Sequence, residues 1–177
     1  HIERNLLEKM VGPIEHLLRN SIAHGIEMPG VRQTANKSPK GRVSLSFVRE
    51  FSSMDIIVSD DGAGIDPNLI RATAIRRGLL EPETELSDDE LYQFILTPGF
   101  TTAAEVSLIA GRGVGMDAVM DSVHELGGSI SIDSEQGKGT SFTIHLPAML
   151  SLVEALTIEV AEETYVLPHG SVDSVVK

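Results

Sequence analysis

Hydrophobic spacing changes period along this 177-residue chain, and the order of those changes is what limits its fold. From Glu3 to His24, Leu6, Leu7, Met10, Val11, Ile14, Leu17, Leu18 and Ile22 recur at helical spacing. Gly12-Pro13 interrupts that pattern and predicts a kink, with Pro13 opening a second helical piece and Gly25 stopping it. Residues 26–41, with Pro29, Gly30, Asn36, Pro39 and Gly41, read as a polar loop. The period then drops to 2: Val43, Leu45 and Phe47 alternate with Ser44 and Ser46, and Met54–Ser59 completes a hairpin. Helical signals return with Asp66-Pro67, an N-cap followed by proline, in a helix stopped by Gly78. Ser87-Asp88-Asp89-Glu90 is a capping box that opens a helix to about Leu96. Residues 97–115 lack clear periodicity and carry Pro98, Gly99, Gly111, Gly113 and Gly115; so long a stretch without structure is either disordered or a functional lid. Val114–Leu126 is a helix stopped by Gly127-Gly128, and strands Ser129–Ser134 and Thr140–Leu146 form a second hairpin.

Hairpins separated by helices give an α/β chain: a two-layer sandwich whose mixed or mostly antiparallel sheet carries helices on one face. After Pro147 the texture becomes all-β, with short strands at Thr157–Val160 and Thr164–Leu167 and a further start at Val172–Val176. That tail is too short to bury a core alone. The expected division is therefore 1–147 as one domain and 148–177 as the opening of a second, cut short. The first residue is His1 rather than Met, as expected of a piece of a longer protein.

Composition removes several classes of function. Twenty-six acidic against fourteen basic residues give a formal charge of −12, which argues against nucleic acid, whose binders need a basic face. Aromatics are 4% and Trp is absent, so stacking platforms are not expected. With no Cys there is no disulfide, thiolate metal site or thiol nucleophile. No apolar run reaches the roughly 18 residues of a membrane helix, and no leader pattern is present. A cytoplasmic chain without membrane insertion is the expectation.

Four local patterns suggest chemistry. His16, Asn20 and His24 lie at i, i+4 and i+8, one stripe along the first helix, on the side away from Ile14, Leu17 and Leu18. A solvated face normally carries Lys and Glu; short and imidazole side chains suggest one covered by a ligand, with the Asn amide oxygen suited to Mg²⁺. Asp60-Asp61-Gly62-Ala63-Gly64-Ile65 follows a strand directly. It sets a carboxylate beside glycines that let backbone approach a flat ligand, and an exocyclic amine such as adenine N6 suits that carboxylate. Gly111-Arg112-Gly113-Val114-Gly115-Met116 runs into a helix, whose N-terminus attracts anions through backbone N–H groups. Gly137-Lys138-Gly139-Thr140 joins two strands and is not a P-loop. His124, His145 and His169 have no paired carboxylate or serine context in the sequence and read as structural.

In this order the four pieces resemble the ATP-binding boxes of the family joining gyrase, the heat-shock chaperone, MutL and histidine kinases, the GHKL or Bergerat fold. More narrowly, His16–Glu27, Pro98–Ala103 and Gly111–Asp117 are similar to the N-box, lid and second glycine box of CheA-type chemotaxis kinases, a likeness covering residues 1–147. Leu156–Lys177 resembles the first strands of the CheW-like, SH3-type regulatory domain that follows in those kinases. The resemblance implies ATP and Mg²⁺ as cofactors and a metal held by Asn20. It implies that Asp60 accepts from adenine N6, that Gly62 and Gly64 shape the base pocket and that Thr140 supports it. Gly111, Arg112, Gly113, Val114 and Gly115 would wrap the phosphates, with nucleotide contacts from Arg19, His24, Ile65 and Met116. His16 stands where hydrolysing relatives carry a catalytic Glu, and it pairs with Asn20 as the catalytic set. Ala23 stands where an acidic residue is common; Arg76 and Arg77 are the candidates for a γ-phosphate cation.

The implied activity is transfer of the ATP γ-phosphoryl to a histidine on a separate phosphotransfer domain. Implied partners are a downstream response regulator, a CheW-like coupling protein and chemoreceptors, in a homodimer built through a domain absent here. The alternatives are a hydrolysing ATPase or ATP-switched clamp of the same fold, which His16 in place of Glu opposes, and a CheW-like scaffold, which only the tail supports.

Overall fold

The computed structural model describes residues 4–50, 53–100, 116–147, 155–160 and 163–168. The chain divides into two compact units, residues 1–147 and 148–177.

In the first unit, α1 (Arg4–Asn20) runs into a π turn (Ser21–Gly25) and is followed by α2 (Pro29–Thr34). The hairpin β1 (Val43–Arg49) and β2 (Ser53–Asp60) comes next, then α3 (Pro67–Arg76) and α4 (Asp88–Tyr92), the latter extended by a 3₁₀ turn to Leu96. Helix α5 (Met116–Glu125) leads to β3 (Ser129–Glu135) and β4 (Gly139–Pro147). The strands pair in the order β1-β2-β4-β3, every pairing antiparallel. Among the described strands the sheet is thus antiparallel rather than mixed.

Register explains the layers. Ile56, Ile144 and Ile130 stand opposite one another across β2, β4 and β3, as do Val58, Phe142 and Ile132, and all six are buried. Their strand neighbours point to the other face, as period 2 requires. Met10, Ile14 and Leu17 of α1, Ile70 and Ala74 of α3, and Val119 and Val123 of α5 join this one core. Each fully buried Ile or Leu contributes about 1.5–3 kcal/mol. Helices therefore cover one face of the sheet, and the layer between them is apolar.

Two local expectations are corrected. Pro13 does not open a second helix; α1 is continuous from Arg4 to Asn20 with Pro13 inside it and buried. The loop at 26–41 contains α2, where Pro29 is not a breaker but the first helical residue. The Ser87–Glu90 capping box forms, Glu90 accepting from the Ser87 backbone N–H at 2.8 Å. Most of the lid segment expected at 97–115 lies outside the described residues, as does the start of α5 expected at Val114. The second unit contributes one antiparallel hairpin, β5 (Ala155–Val160) with β6 (Glu163–Pro168); Val172–Val176 lies outside the described residues. Among the described residues no helix is long and apolar enough to cross a membrane.

Candidate functional site

The end of α1, the loop after β2, the start of β4 and the first residue of α5 converge on a cavity of about 600 Å³. His16, Asn20, His24, Asp60, Gly64, Ile65, Met116 and Thr140 all line it, so residues far apart in sequence share one site. The π turn is part of how this happens. One extra residue per turn widens the helix just after Asn20, and Ser21 and His24 both reach the same wall.

Asp60 closes β2, and its carboxylate packs against Gly25, where a side chain would collide with it. The backbone N–H of Gly62 donates to Asp60 Oδ1 at 3.0 Å, which holds the rotamer and, among the described residues, leaves the other oxygen available. Gly62 is buried behind the carboxylate rather than lining the cavity. Ala63 N–H donates to the Gly25 carbonyl at 2.8 Å and Gly137 N–H to the Ala63 carbonyl at 2.7 Å, tying the loop to both sides of the site. Thr140 is buried beside Ser134, their hydroxyls 3.0 Å apart, while Ser134 Oγ accepts from the Ile65 backbone N–H at 2.9 Å. Ser134 is thus the link between the Asp60 loop and Thr140, and its position on a strand gave no sign of it.

Ser21 is a residue that sequence reasoning missed. It is 3% exposed, lines the cavity, and among the described residues its Oγ has no hydrogen-bond partner. Burying a hydroxyl unpaired costs about 1–3 kcal/mol, so this atom favours a ligand or water that pairs with it. Apart from Asp66, the described remainder of the wall is mostly apolar: Leu69, Ile70, Ile95, Phe100 and Phe142 join Ile65 and Met116. A largely apolar slot with a few convergent polar groups is the usual form of a small-molecule site.

His16 is held neutral. Burial, then the nearby charges of Arg19 and His24, lower its pKa from the ordinary 6.5. Among the described residues Asn20 is the one side-chain amide on this wall, and no cluster of three His, Cys, Asp or Glu could cage a metal. A cation held by the Asn20 oxygen would draw its other contacts from the ligand and water, which suits Mg²⁺, a metal that keeps several waters and phosphate oxygens.

Some expected positions fall elsewhere. Arg19 is exposed and borders a separate shallow groove with Glu15, Leu18, Ile22 and Ala23, since three residues on from His16 the helix has turned it off the stripe. Arg76 donates to Thr73 Oγ1 at 3.2 Å. Arg77 donates to the Gly99 carbonyl at 2.6 Å and stacks over the Phe100 ring at 5.4 Å, so it braces a cavity wall and does not line it. Gly111, Arg112, Gly113, Val114 and Gly115 lie outside the described residues. The reading of His145 as lacking a carboxylate and a serine is overturned: Nδ1 is 2.9 Å from Asp55 Oδ1 and Nε2 is 3.0 Å from Ser131 Oγ. This chain crosses three strands on the sheet face opposite the buried core, and its partners come from β2 and β3, which sequence spacing does not show.

Gly64 and Gly137 separate backbone strain from collision in this loop. Both are left-handed, with φ 71° and 81°. A methyl on Gly64 would overlap the Glu135 carbonyl, whereas one on Gly137 meets nothing within 4 Å. Gly137→Ala should cost about 1–2 kcal/mol from conformation alone, and Gly64→Ala about 1–3 kcal/mol more. Urea unfolding of both variants measures this; equal losses would show that the loop gives way freely.

Residues 11–150 match the family described as histidine kinase-, DNA gyrase B-, and HSP90-like ATPase. The chain is 42% identical over 176 residues to the chemotaxis protein CheA of Halobacterium salinarum, covering 98% of this chain and 26% of that protein. It is 41% identical over 173 residues to CheA of Bacillus subtilis, covering 97% and 26%. The sensor histidine kinase CheAY of Helicobacter pylori is 41% identical over 173 residues, covering 97% of this chain and 22% of that protein. The chain thus spans about a quarter of the length of these relatives. Among solved structures, the mycobacterial sensor histidine kinase MprB aligns at 20% identity over 79% of this chain and 72% of that one, with a TM-score of 0.48.

Proposed function

This chain belongs to the histidine kinase-, DNA gyrase B-, and HSP90-like ATPase family, and from that premise we propose that it is the ATP-binding catalytic domain of a CheA-type histidine kinase. One observation carries the reading: one cavity brings the Asp60 carboxylate and the unpaired Ser21 hydroxyl together with Asn20, His16 and His24. The first two suit a purine carrying an amine; the stripe suits phosphates and their metal. Residues 148–177 are, on this reading, the start of a CheW-like domain.

Asp60 accepts from the adenine 6-amino group through the oxygen that Gly62 leaves available. Ser21 and Thr140 supply hydroxyls at the buried end of the base, directly or through water. Mg²⁺, held through the Asn20 amide oxygen, would neutralise phosphate charge. His16, neutral and beside Asn20, contacts the distal phosphate region. The reaction is an in-line displacement at the γ-phosphorus: a histidine nitrogen of a separate phosphotransfer domain forms the N–P bond. The P–O bond to ADP breaks, ADP keeps the electron pair, and the imidazole N–H proton is lost to solvent. Positioning and charge neutralisation do most of this work. A response regulator then receives the phosphoryl group, and a CheW-like coupling protein and receptors govern the full-length cytoplasmic dimer.

The test is transfer itself. Labelled ATP should deliver phosphate to a separately supplied phosphotransfer domain only when this chain is present, and the chain incubated alone should carry no stable label. Label retained on the chain, or ATP turned over to free phosphate with none reaching the domain, would overturn the kinase reading.

A further inference from the structure

Arg32, in a stretch that reads as a polar loop, is 1% exposed and hydrogen-bonds through all three of its nitrogens. Nε donates to the Ser38 carbonyl at 2.7 Å. One terminal nitrogen donates to Glu27 Oε2 at 2.8 Å and the Asp61 carbonyl at 3.0 Å, and the other to Asp61 Oδ2 at 2.9 Å. Lys37 Nζ donates to Glu27 Oε1 at 2.7 Å, the Asp61 carbonyl at 2.9 Å and the Gly62 carbonyl at 2.6 Å. Two cations and two carboxylates are thus interlocked around the two residues that follow Asp60. Asp61 is held from the other side as well, its Oδ1 accepting from the Arg42 backbone N–H at 2.8 Å.

Peptide planarity turns this grip into an orientation. In a trans peptide the C=O and the next N–H point in opposite directions. Anchoring the Asp61 carbonyl on Arg32 and Lys37 therefore aims the Gly62 N–H the other way, onto Asp60 Oδ1. Anchoring the Gly62 carbonyl on Lys37 likewise aims the Ala63 N–H at the Gly25 carbonyl. Neither Arg32 nor Lys37 lines the cavity. Of the four side chains only Arg32 is fully buried, and Asp61 is 43% exposed; such a partly buried ion network is weak as a source of stability, and its best-attested use is to hold one arrangement against others.

We propose that Arg32 and Lys37 are positioning residues for base recognition, holding the Asp61–Ala63 peptides so that one Asp60 oxygen is fixed and the other meets the purine amine. Burial works against each charge, but the hydrogen bonds outweigh it: the Glu27 and Asp61 carboxyls stay below, and the Arg32 guanidinium above, their ordinary pKa values. The inference rests on the adenine reading of the cavity, and the experiment keeps the two apart.

Calorimetric affinities for ATP and GTP, with a thermal melt for each protein, are compared for wild type, Lys37→Met, Lys37→Arg and Arg32→Met. Lys37→Met should lose about tenfold in ATP affinity and almost nothing in GTP affinity, so that base preference falls by about tenfold. Lys37→Arg should restore most of it. In an Asp60→Asn background Lys37→Met should cost less than about twofold, because the residue it acts through is already lost. A purely structural role would lower the melting temperature and leave the ATP:GTP ratio of the folded protein unchanged, and that result overturns the proposal. Should Arg32→Met fail to fold, the partly exposed Lys37 decides alone. If the wild-type chain itself does not prefer ATP to GTP, the adenine reading fails first.

Discussion

Asp60→Asn is expected to weaken ATP binding by about 2–4 kcal/mol while leaving the chain folded. The substitution keeps an oxygen that can accept from Gly62 N–H, now 3.0 Å from Oδ1. The change falls on the other terminal atom, where an acceptor becomes an NH₂ donor facing the adenine 6-amino group. Donor then meets donor inside a slot walled by Ile65, Phe142 and Met116, and both are left poorly paired. Guanine presents an oxygen at that position, so the same variant should bind GTP better than wild type does. Titration of both nucleotides into both proteins measures the exchange. GTP binding as tightly as ATP to the unsubstituted chain would refute the adenine assignment.

What the sequence made visible was periodic or local. The α1 stripe and both hairpins repeat over many residues, and the Ser87–Glu90 box is a four-residue signal that carries its own geometry. The site positions were legible in part for the same reason. His16, Asn20 and His24 follow helical spacing, and Asp60 follows directly on a strand expected at Met54–Ser59. Features set by single long-range contacts were not legible. Arg32 looks like any charged loop residue until Asp61, 29 positions away, closes on it. Ser21 shows its unpaired hydroxyl only once α1 is packed, and the π turn that places it leaves no mark on the 3.6 period. Asp55, His145 and Ser131 meet only through strand register. Pro29 and Pro13 show the ambiguity of a residue that starts one helix and sits inside another: composition alone reads both as interruptions.

Along the helical stripe, Asn20 and His16 should fail in different ways. Asn20→Ala removes the single protein oxygen proposed for the metal, so Mg²⁺-dependent ATP affinity and phosphate transfer should fall together. His16→Ala should leave affinity nearer wild type and slow transfer by about 10²–10⁴-fold, the range for a positioned proton or hydrogen-bond partner. The protonation state of His16 adds an independent readout. Burial, Arg19 and His24 hold its pKa below 6.5, so the free protein carries it neutral at pH 7. A depressed pKa means its contribution to stability is complete above pH 6.5 and is lost as pH falls through the lower folded value. A triphosphate alongside reverses the local charge and raises that pKa, so ATP binding should take up protons between the two values and tighten as pH falls across that window. Calorimetry in two buffers of different ionisation enthalpy counts those protons. The share lost in His16→Ala and kept in Asn20→Ala belongs to His16. No difference in proton uptake between His16→Ala and wild type, together with wild-type transfer, would return His16 to the status of a bystander on the cavity wall. The kinase reading would then rest on Asn20 and Asp60.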